Sequence, residues 1–283
     1  MKYIDLHTHT NLSDGKKSPE ELVREAKKKR LRAIAVTDHD TVEGVDRAIK
    51  QGKKVGVEVI PGIEITAGYK YFFRKKVVHI VGLFIDHKNK ELKKFIIETS
   101  KNRIDHKKQV IKELQRIGIK VTFAEVRRYA KGAIASPHIV EVVMKNNPGI
   151  VKDKQEFYDR IFPRLRINGK LTSMKDAVSA IKKSGGVAIL AHPAFAKKTA
   201  IKQFRRAGGD GIEVYYPYEY SSKYCDLGKK ELTLLKKKYE KLAEKYDLAK
   251  SGGSDYHGKE GNAPLGYGKL DYSIVKELKK LSY

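Results

Sequence analysis

An α/β fold is predicted by this sequence, because seven short apolar strands alternate with amphipathic helical stretches. The strands are expected at residues 2–6, 33–37, 57–61, 77–84, 187–191, 211–216 and 248–251. Such alternation favours a parallel sheet, either open or closed into a barrel, with helices packed on its faces. The 283 residues are enough for one large domain, or for one domain that carries an insertion.

Local signals mark where several helices begin or end. Residues 18–21, SPEE, contain an N-cap serine, a first-turn proline and a glutamate three residues after the cap. Residues 122–125, TFAE, repeat this capping-box pattern, and residues 136–137, SP, predict another helix start. The pair Gly185-Gly186 predicts the end of a helix just before the strand VAILA.

Residues 90–172 interrupt the alternation of strands and helices. They contain helical patterns without a clear strand, which predicts an inserted, mostly helical cap. The chain is therefore predicted to form one barrel-like domain from residues 1–89 and 173–283, with the cap inserted between them.

The net charge of +26, from 60 Lys and Arg against 34 Asp and Glu, has two possible meanings. It could be a lysine-coated solvated surface, or it could attract phosphates or RNA.

Cys225 is the single cysteine, which excludes an intrachain disulfide. No signal-peptide pattern and no apolar run near the ~18 residues of a membrane span are present, so a cytoplasmic protein without a membrane partner is expected.

Histidines and carboxylates follow the predicted strands. In α/β folds of this kind, functional residues gather at the carboxyl ends of the strands. Six of the nine histidines and three carboxylates lie on or just after strands. These residues are His7, His9, Asp14, His39, Glu64, His79, His192, Asp255 and His257. A single histidine at such a place is usually structural, but a set spread over nearly every strand is not explained by packing and predicts a metal site.

The chemistry of this set narrows the kind of metal site. His7 and His9 are two residues apart on an extended segment, so their side chains point to the same face and can bind one metal ion. Mixed imidazole and carboxylate ligands suit Zn, Mn or Fe. Because no cysteine belongs to the set, a structural zinc site is not expected.

The motifs HTHTNLSDG, TDHDTVEG, PGIEIT, HIVG, AHP and GSDYHG resemble, in this order and spacing, those of the PHP (polymerase and histidinol phosphatase) superfamily. The resemblance covers essentially the whole chain. It implies a distorted (βα)7 barrel with an inserted cap. Within the superfamily, Asp14, PGIEIT and the insertion are most similar to the nucleotide phosphatase branch, which hydrolyses nucleoside 5′-monophosphates or 3′,5′-bisphosphates and has relatives that are 5′→3′ exoribonucleases.

This resemblance also implies how the ligands divide among two to three divalent ions of Mn, Zn or Fe. One ion would take His7, His9, Glu64 and Asp255. A second would share Glu64 and add His79 and His192, and a third would use Asp14, His39 and His257. Histidinol phosphatases of the superfamily often have a histidine where Asp14 stands, so a site with two firmly bound ions is an alternative.

The predicted mechanism is attack on phosphorus by a metal-activated hydroxide, which the ligands Glu64, His79 and His192 hold in place. The metal ions would also offset the charge that develops on the phosphate. Asp38, next to His39, is a candidate acid or a carboxylate that supports the loop, and the second role is favoured.

Substrate contacts are expected mainly from the cap. The resemblance assigns Arg103, His138 and Lys170 to phosphate binding, while His106, Ser136 and Glu141 stand where the branch often has arginine. Arg164 and Arg166 could supply the missing charge, and Tyr215 could stack a nucleotide base. The substrate-binding set is therefore Arg103, His138, Lys170, Arg166 and Tyr215.

Three functions follow from the sequence. The first is hydrolysis of a phosphomonoester on a nucleotide, such as AMP or a nucleoside 3′,5′-bisphosphate, or action at the 5′ end of a short RNA. The second is a histidinol-phosphate or other small-molecule phosphatase, whose cationic substrate would require an additional carboxylate in the pocket. The third is a non-catalytic module that binds metal or nucleic acid, for which eroded ligands are expected. No obligate protein partner is predicted.

Overall fold

A computed structural model of the protein describes residues 2–71, 74–130, 133–167, 170–221 and 223–282. Within these residues the strands form one eight-stranded sheet in the order β7-β6-β5-β4-β3-β2-β1-β8. The strands are β1 (Tyr3–Asp5), β2 (Ala33–Val36), β3 (Glu58–Tyr71), β4 (Arg74–Leu83), β5 (Val187–Leu190), β6 (Gly211–Tyr215), β7 (Ala249–Gly252) and β8 (Leu270–Asp271).

Helices connect most of these strands. They are α1 (Pro19–Lys28), α2 (Val45–Val55), α3 (Lys90–Arg116), α4 (Phe123–Tyr129), α5 (Ser136–Asn146), α6 (Lys154–Glu156), α7 (Met174–Lys183), α8 (Lys198–Arg206), α9 (Lys229–Lys245) and α10 (Ser273–Lys279). The capping boxes predicted at residues 18–21 and 122–125 are both present, and α5 begins at the predicted serine. The local helix signals are therefore confirmed.

The sheet is mixed, which corrects the prediction of a parallel one. Strands β1, β2 and β3 are parallel neighbours, as are β5, β6 and β7, whereas β4 runs antiparallel to both β3 and β5. Only two residues separate β3 from β4, and a parallel crossover needs about a dozen. The predicted strands 57–61 and 77–84 are therefore parts of one long hairpin, while β8 is a short additional strand antiparallel to β1.

The sheet curves into a nearly closed barrel, as the predicted fold class requires. The segment after β1 meets the segment after β7, where the amide of His9 donates to the carbonyl of Tyr256 at 2.8 Å. Gly253 permits this close approach, because a Cβ there would lie 2.4 Å from the amide nitrogen of His7. Closure therefore brings the first and last parts of the barrel together at the first histidines.

The cap has a hydrophobic core of its own. One cluster of buried residues lies entirely between residues 110 and 165 and joins α3, α4, α5 and the following segment. The start of α3 belongs to the barrel core instead, through Leu92. Helix α3 therefore packs on both clusters, and the cap bounds of 90–172 stay a prediction.

No helix in the described part of the chain has the length and apolar character needed to cross a membrane.

A substitution at Phe204 measures how much the main core contributes to the free energy of unfolding. Phe204 lies in α8, and its ring is fully buried. We expect Phe204→Ala to lower the free energy of unfolding by about 3–5 kcal/mol, through lost burial and the cavity that remains. Urea unfolding measures this change. Leu234→Ala, at a side chain that is 58 % exposed, should stay within about 0.5 kcal/mol. Similar losses in both variants would contradict the assignment of the core.

Candidate metal centre

All nine predicted metal-ligand residues meet at one end of the barrel. Three overlapping groups have ligand atoms that lie within 4.8 Å of one another. The groups are His9, Asp14, His39 and His257; His7, His9, Glu64 and Asp255; and His39, Glu64 and His79. The second group equals the set expected for the first metal ion. The first group adds His9 to the set expected for the third ion. The last group has His39 where the set expected for the second ion has His192, whose Nε2 lies 3.1 Å from Oε1 of Glu64.

The strands bring these residues together because their ends converge. His7 and His9 follow β1, and their Nε2 atoms lie 3.1 Å apart, as the alternation of an extended chain requires. His192 and Asp255, after β5 and β7, have φ angles of +30° and +52°. Left-handed backbone at residues other than glycine is strained, and such strain is often found where side chains are aimed at a functional site.

Glu64 is the centre of the cluster. It lies in β3, its side chain is 1 % exposed, and its two oxygens are surrounded by rings. Five imidazole nitrogens lie within 3.4 Å of these oxygens, one each from His7, His9, His39, His79 and His192. Glu64 belongs to two of the three ligand groups, so it would help to hold more than one metal ion.

Charge within the centre favours ionised carboxylates. Burial alone would raise the pKa of Glu64, but the rings of His39 and His7 hold that pKa well below its usual range. Burial likewise opposes ionisation of Asp14, yet His257 and His39 hold its pKa well below the usual value. Both carboxylates are therefore able to act as negatively charged ligands near neutral pH.

The donor atoms fit divalent metal ions. Asp14 Oδ1, His39 Nδ1 and Glu64 Oε2 are buried and have no hydrogen-bond partner among the described residues. A buried polar atom without a partner costs free energy, and a coordinated cation would remove this cost. Nitrogen and carboxylate oxygen donors without a thiolate are typical of catalytic Zn, Mn or Fe sites.

Glu213 contacts two of the predicted ligands, although the sequence patterns did not single it out. This buried carboxylate in β6 lies 2.7 Å from Nδ1 of His7 and accepts a hydrogen bond from the amide of His192 at 2.7 Å. A carboxylate on Nδ1 orients the ring and leaves Nε2 available for a metal ion. The only signal in the sequence was a glutamate inside the apolar strand GIEV.

Asp38 has a supporting position in the structure. It is 1 % exposed and accepts hydrogen bonds from the amide and hydroxyl of Thr10, at 2.7 and 2.6 Å, and from the hydroxyl of Ser13. These contacts hold the loop that carries the ligands after β1. Of the two roles expected for Asp38, the geometry favours the supporting one.

A cavity of about 430 Å³ lies between the metal centre and the cap. Arg103 and Lys170, two of the predicted substrate residues, line it. Lys170 is largely exposed and pairs with Glu98 at 3.3 Å. His138 and Arg166 are not among the described residues that line this cavity, so the phosphate contacts proposed for them stay predictions.

Arg103 forms an ion pair and a hydrogen bond with residues of the barrel. Its guanidinium lies 2.9 Å from a carboxylate oxygen of Asp40 and donates to the carbonyl of His39 at 3.4 Å. The hydroxyl of Ser100 donates to the carbonyl of Asp40 at 3.1 Å, and Asp40 has a φ of +49°. Helix α3 thus fixes the strained turn that carries the ligand His39.

His138 has a local structural contact. Its Nδ1 accepts the amide hydrogen of Ala135 at 3.1 Å, which closes the first turn of α5. Because Nδ1 accepts, the ring proton of neutral His138 lies on Nε2. This contact accounts for a histidine at this position, whether or not it also meets a substrate.

Tyr216, rather than the predicted Tyr215, lines the cavity. The ring of Tyr215 lies beneath the ammonium of Lys236, at 4.7 Å from its centroid. The hydroxyl of Tyr216 donates to Asp255 at 2.9 Å. A shift in the β6–β7 register between Glu213 and Tyr215 interrupts the alternation of side chains, which places Tyr216 towards the site.

Replacing Glu213 should loosen the metal site. We expect Glu213→Gln to weaken binding of a divalent ion by about 10–100-fold, because the ring of His7 loses the carboxylate that orients it. Metal titration of the purified protein measures this affinity. Glu91→Gln, whose side chain is 73 % exposed, removes the same charge as a control. Equal affinities in the two variants would argue against this role of Glu213.

The burial of His106 predicts how the free energy of unfolding depends on pH. Burial, with a smaller effect of Lys107, lowers its pKa to about 4, whereas an unfolded histidine has a pKa of about 6.5. Between these pH values the unfolded chain binds a proton that the folded chain does not bind, so stability falls as the pH falls. His106→Gln should therefore lose less stability than the wild type between pH 7 and pH 4.5 in urea unfolding. Parallel losses would contradict this assignment.

Comparison with known proteins places this centre among phosphoester hydrolases. The chain is 28 % identical over 265 residues to a 5′-3′ exoribonuclease of Haemophilus influenzae, which covers 90 % of each protein. It is 27 % identical to a phosphoribosyl 1,2-cyclic phosphate 1,2-diphosphodiesterase of Eggerthella lenta, over 92 % of this chain and 96 % of the relative. A 3′,5′-nucleoside bisphosphate phosphatase of Chromobacterium violaceum is 28 % identical, over 94 % and 92 %.

A solved structure matches nearly the whole chain. It is described as an amidohydrolase from Chromobacterium violaceum with bound sulfate and no metal, and it is 26 % identical with a TM-score of 0.78. The match covers 98 % of this chain and 96 % of that one. The PHP domain model matches residues 5–166, which is more than half of the chain. The protein therefore belongs to the PHP domain family.

Proposed function

We propose that the protein is a metal-dependent phosphoesterase that releases phosphate from nucleotides, with AMP and nucleoside 3′,5′-bisphosphates as the first substrates to test. The observation that carries this proposal is the convergence of the nine predicted ligands beside a cavity with cationic and aromatic walls. Two to three Mn, Zn or Fe ions fit the three ligand groups. The names of the relatives support the same class of reaction.

Bound divalent ions would supply a nucleophile from water near neutral pH and offset the negative charge that develops on the phosphoryl group. The protein's own part is to hold the ligands in place. Glu64 lies between the ligand groups, while Glu213 and Tyr216 orient His7 and Asp255. Because these contacts exist before substrate arrives, little reorganisation is needed during the reaction.

The walls of the cavity suit a nucleotide. Phe195 and Tyr216 lie on the barrel side, and Tyr158 and Phe162 lie on the cap side. The ring centroids of Phe195 and Tyr216 are 6.0 Å apart. Aromatic rings can stack a base without regard to its identity, so these residues take the role first expected for Tyr215. The +26 net charge supports an anionic substrate, including the 5′ end of a short RNA.

Neither alternative function has comparable support. A histidinol-phosphate substrate carries a positive amino group, yet the carboxylates among the described lining residues, Asp14, Glu64 and Asp255, all belong to the metal centre. A non-catalytic module would be expected to lose ligands, whereas all nine positions carry ligand side chains and converge.

The protein loaded with Mn²⁺ or Zn²⁺ should release inorganic phosphate from AMP, adenosine 3′,5′-bisphosphate or p-nitrophenyl phosphate. The double variant His7→Ala and His9→Ala should lose at least about 100-fold in activity, because it removes two ligands of one ion. Circular dichroism checks that this variant is folded. If the wild type hydrolyses none of the esters with any of the metals, the proposed function is wrong.

A further inference from the structure

Lys107 is a buried cation that the proposed chemistry leaves unexplained. It lies in α3, lines the cavity, and is 9 % exposed. Its Nζ donates to the hydroxyl oxygen of Ser136 at 2.6 Å, and it forms no ion pair with a carboxylate in the described part of the chain. An ammonium group has three donors, and a buried one is costly unless an anion offsets its charge.

The neighbouring Arg103 is also a cation, so it cannot offset the charge of Lys107. Arg103 is one helical turn before Lys107, so both side chains lie on the same face of α3. The charge of Arg103 is offset by its contact with Asp40, whereas that of Lys107 is not. Burial and the charge of Arg103 lower the pKa of Lys107 to about 8, against a smaller opposing effect of Asp40 and Asp14. The carboxylates near Lys107 therefore offset its charge only in part, and none of those in the described residues forms an ion pair with it.

Ser136 adds a second feature that favours an anion. It is the first residue of α5, an eleven-residue helix, and it also lines the cavity. The start of a helix carries partial positive charge from its peptide dipoles. The lysine, the serine hydroxyl and the helix start therefore lie on one side of the cavity, facing the same space.

We propose that Lys107 and Ser136 form an anion subsite in the cap that binds a phosphoryl group of the substrate. The proposal deepens the proposed function and rests on it for the nature of the substrate. A phosphoryl group accepts several hydrogen bonds and supplies the negative charge that Lys107 lacks. The group is either the one that reacts at the metal centre or a second one on the same nucleotide.

Lys107→Met tests the subsite, because methionine retains the length of the side chain without its charge. We expect kcat/KM to fall by about 10–100-fold, the effect of losing one charge-assisted contact. Lys112→Met is the matched control, since Lys112 is exposed on the same helix. Its kcat/KM should stay within about twofold of the wild type. Metal content is measured in both variants and should equal that of the wild type.

A comparison of three esters shows whether the subsite binds the reacting phosphoryl group or a second one on the same nucleotide. A similar loss for p-nitrophenyl phosphate, AMP and adenosine 3′,5′-bisphosphate supports contact with the reacting group. A loss confined to the bisphosphate supports contact with the second group. If Lys107→Met behaves like Lys112→Met with every ester and also binds inorganic phosphate equally well, the subsite does not exist.

Ser136→Asp provides a test that does not depend on removing a buried lysine. The new carboxylate would lie beside Lys107 and form an ion pair with its ammonium group, which would then be unavailable to the substrate. An acidic residue in the first turn of a helix is stabilising, so the variant should fold. We expect it to lose activity and phosphate affinity about as strongly as Lys107→Met. Full activity and full phosphate affinity in folded Ser136→Asp would overturn the proposal.

Binding of inorganic phosphate to the metal-loaded protein separates this proposal from the proposed function. Calorimetry gives the affinity without any turnover. If the wild type hydrolyses no ester but binds phosphate more tightly than Lys107→Met by about tenfold or more, the function fails and the subsite stands. If hydrolysis is present and phosphate binding and kcat/KM are both unchanged in Lys107→Met, the function stands and the subsite fails.

Discussion

The structure depends most on the burial of Glu64 among five imidazole rings. Buried carboxylate oxygens and the Nδ1 atom of His39, which have no hydrogen-bond partner among the described residues, are unfavourable in a dry interior, and coordinated cations would offset that cost. Other features follow from this burial. Gly253 allows the barrel to close tightly against His7, and Glu213 holds the ring of His7 in the orientation that a metal ion needs.

Helix α3 connects the metal centre to the cap. Its first turns pack on the barrel through Leu92, and its later turns join the separate core of the cap. Between these two regions, Ser100 and Arg103 bind the strained turn at Asp40, next to the ligand His39. The same helix therefore contacts the turn beside the metal centre and carries residues proposed to bind the substrate.

The positive charge of the protein has different roles at different places. Arg103 is paired with Asp40 and stabilises the turn beside the metal centre, while Lys170 is exposed and paired at the rim. Lys107 alone among these three is buried without a carboxylate partner in the described residues. Total charge could not distinguish these cases, because burial and pairing decide whether a cation is available to a substrate.

The metal-site candidates and the α/β barrel could be predicted from the sequence, because converging strand ends bring His7, His39 and His192 together around Glu64. Capping motifs also located helix starts, since they depend on neighbouring residues alone. Tertiary structure decided the rest. The length of the β3–β4 hairpin depended on pairing between strands, and the shift in β6 decided that Tyr216 faces the cavity. The partners of Glu213 and Lys107 come from distant parts of the chain, so no local pattern could reveal them.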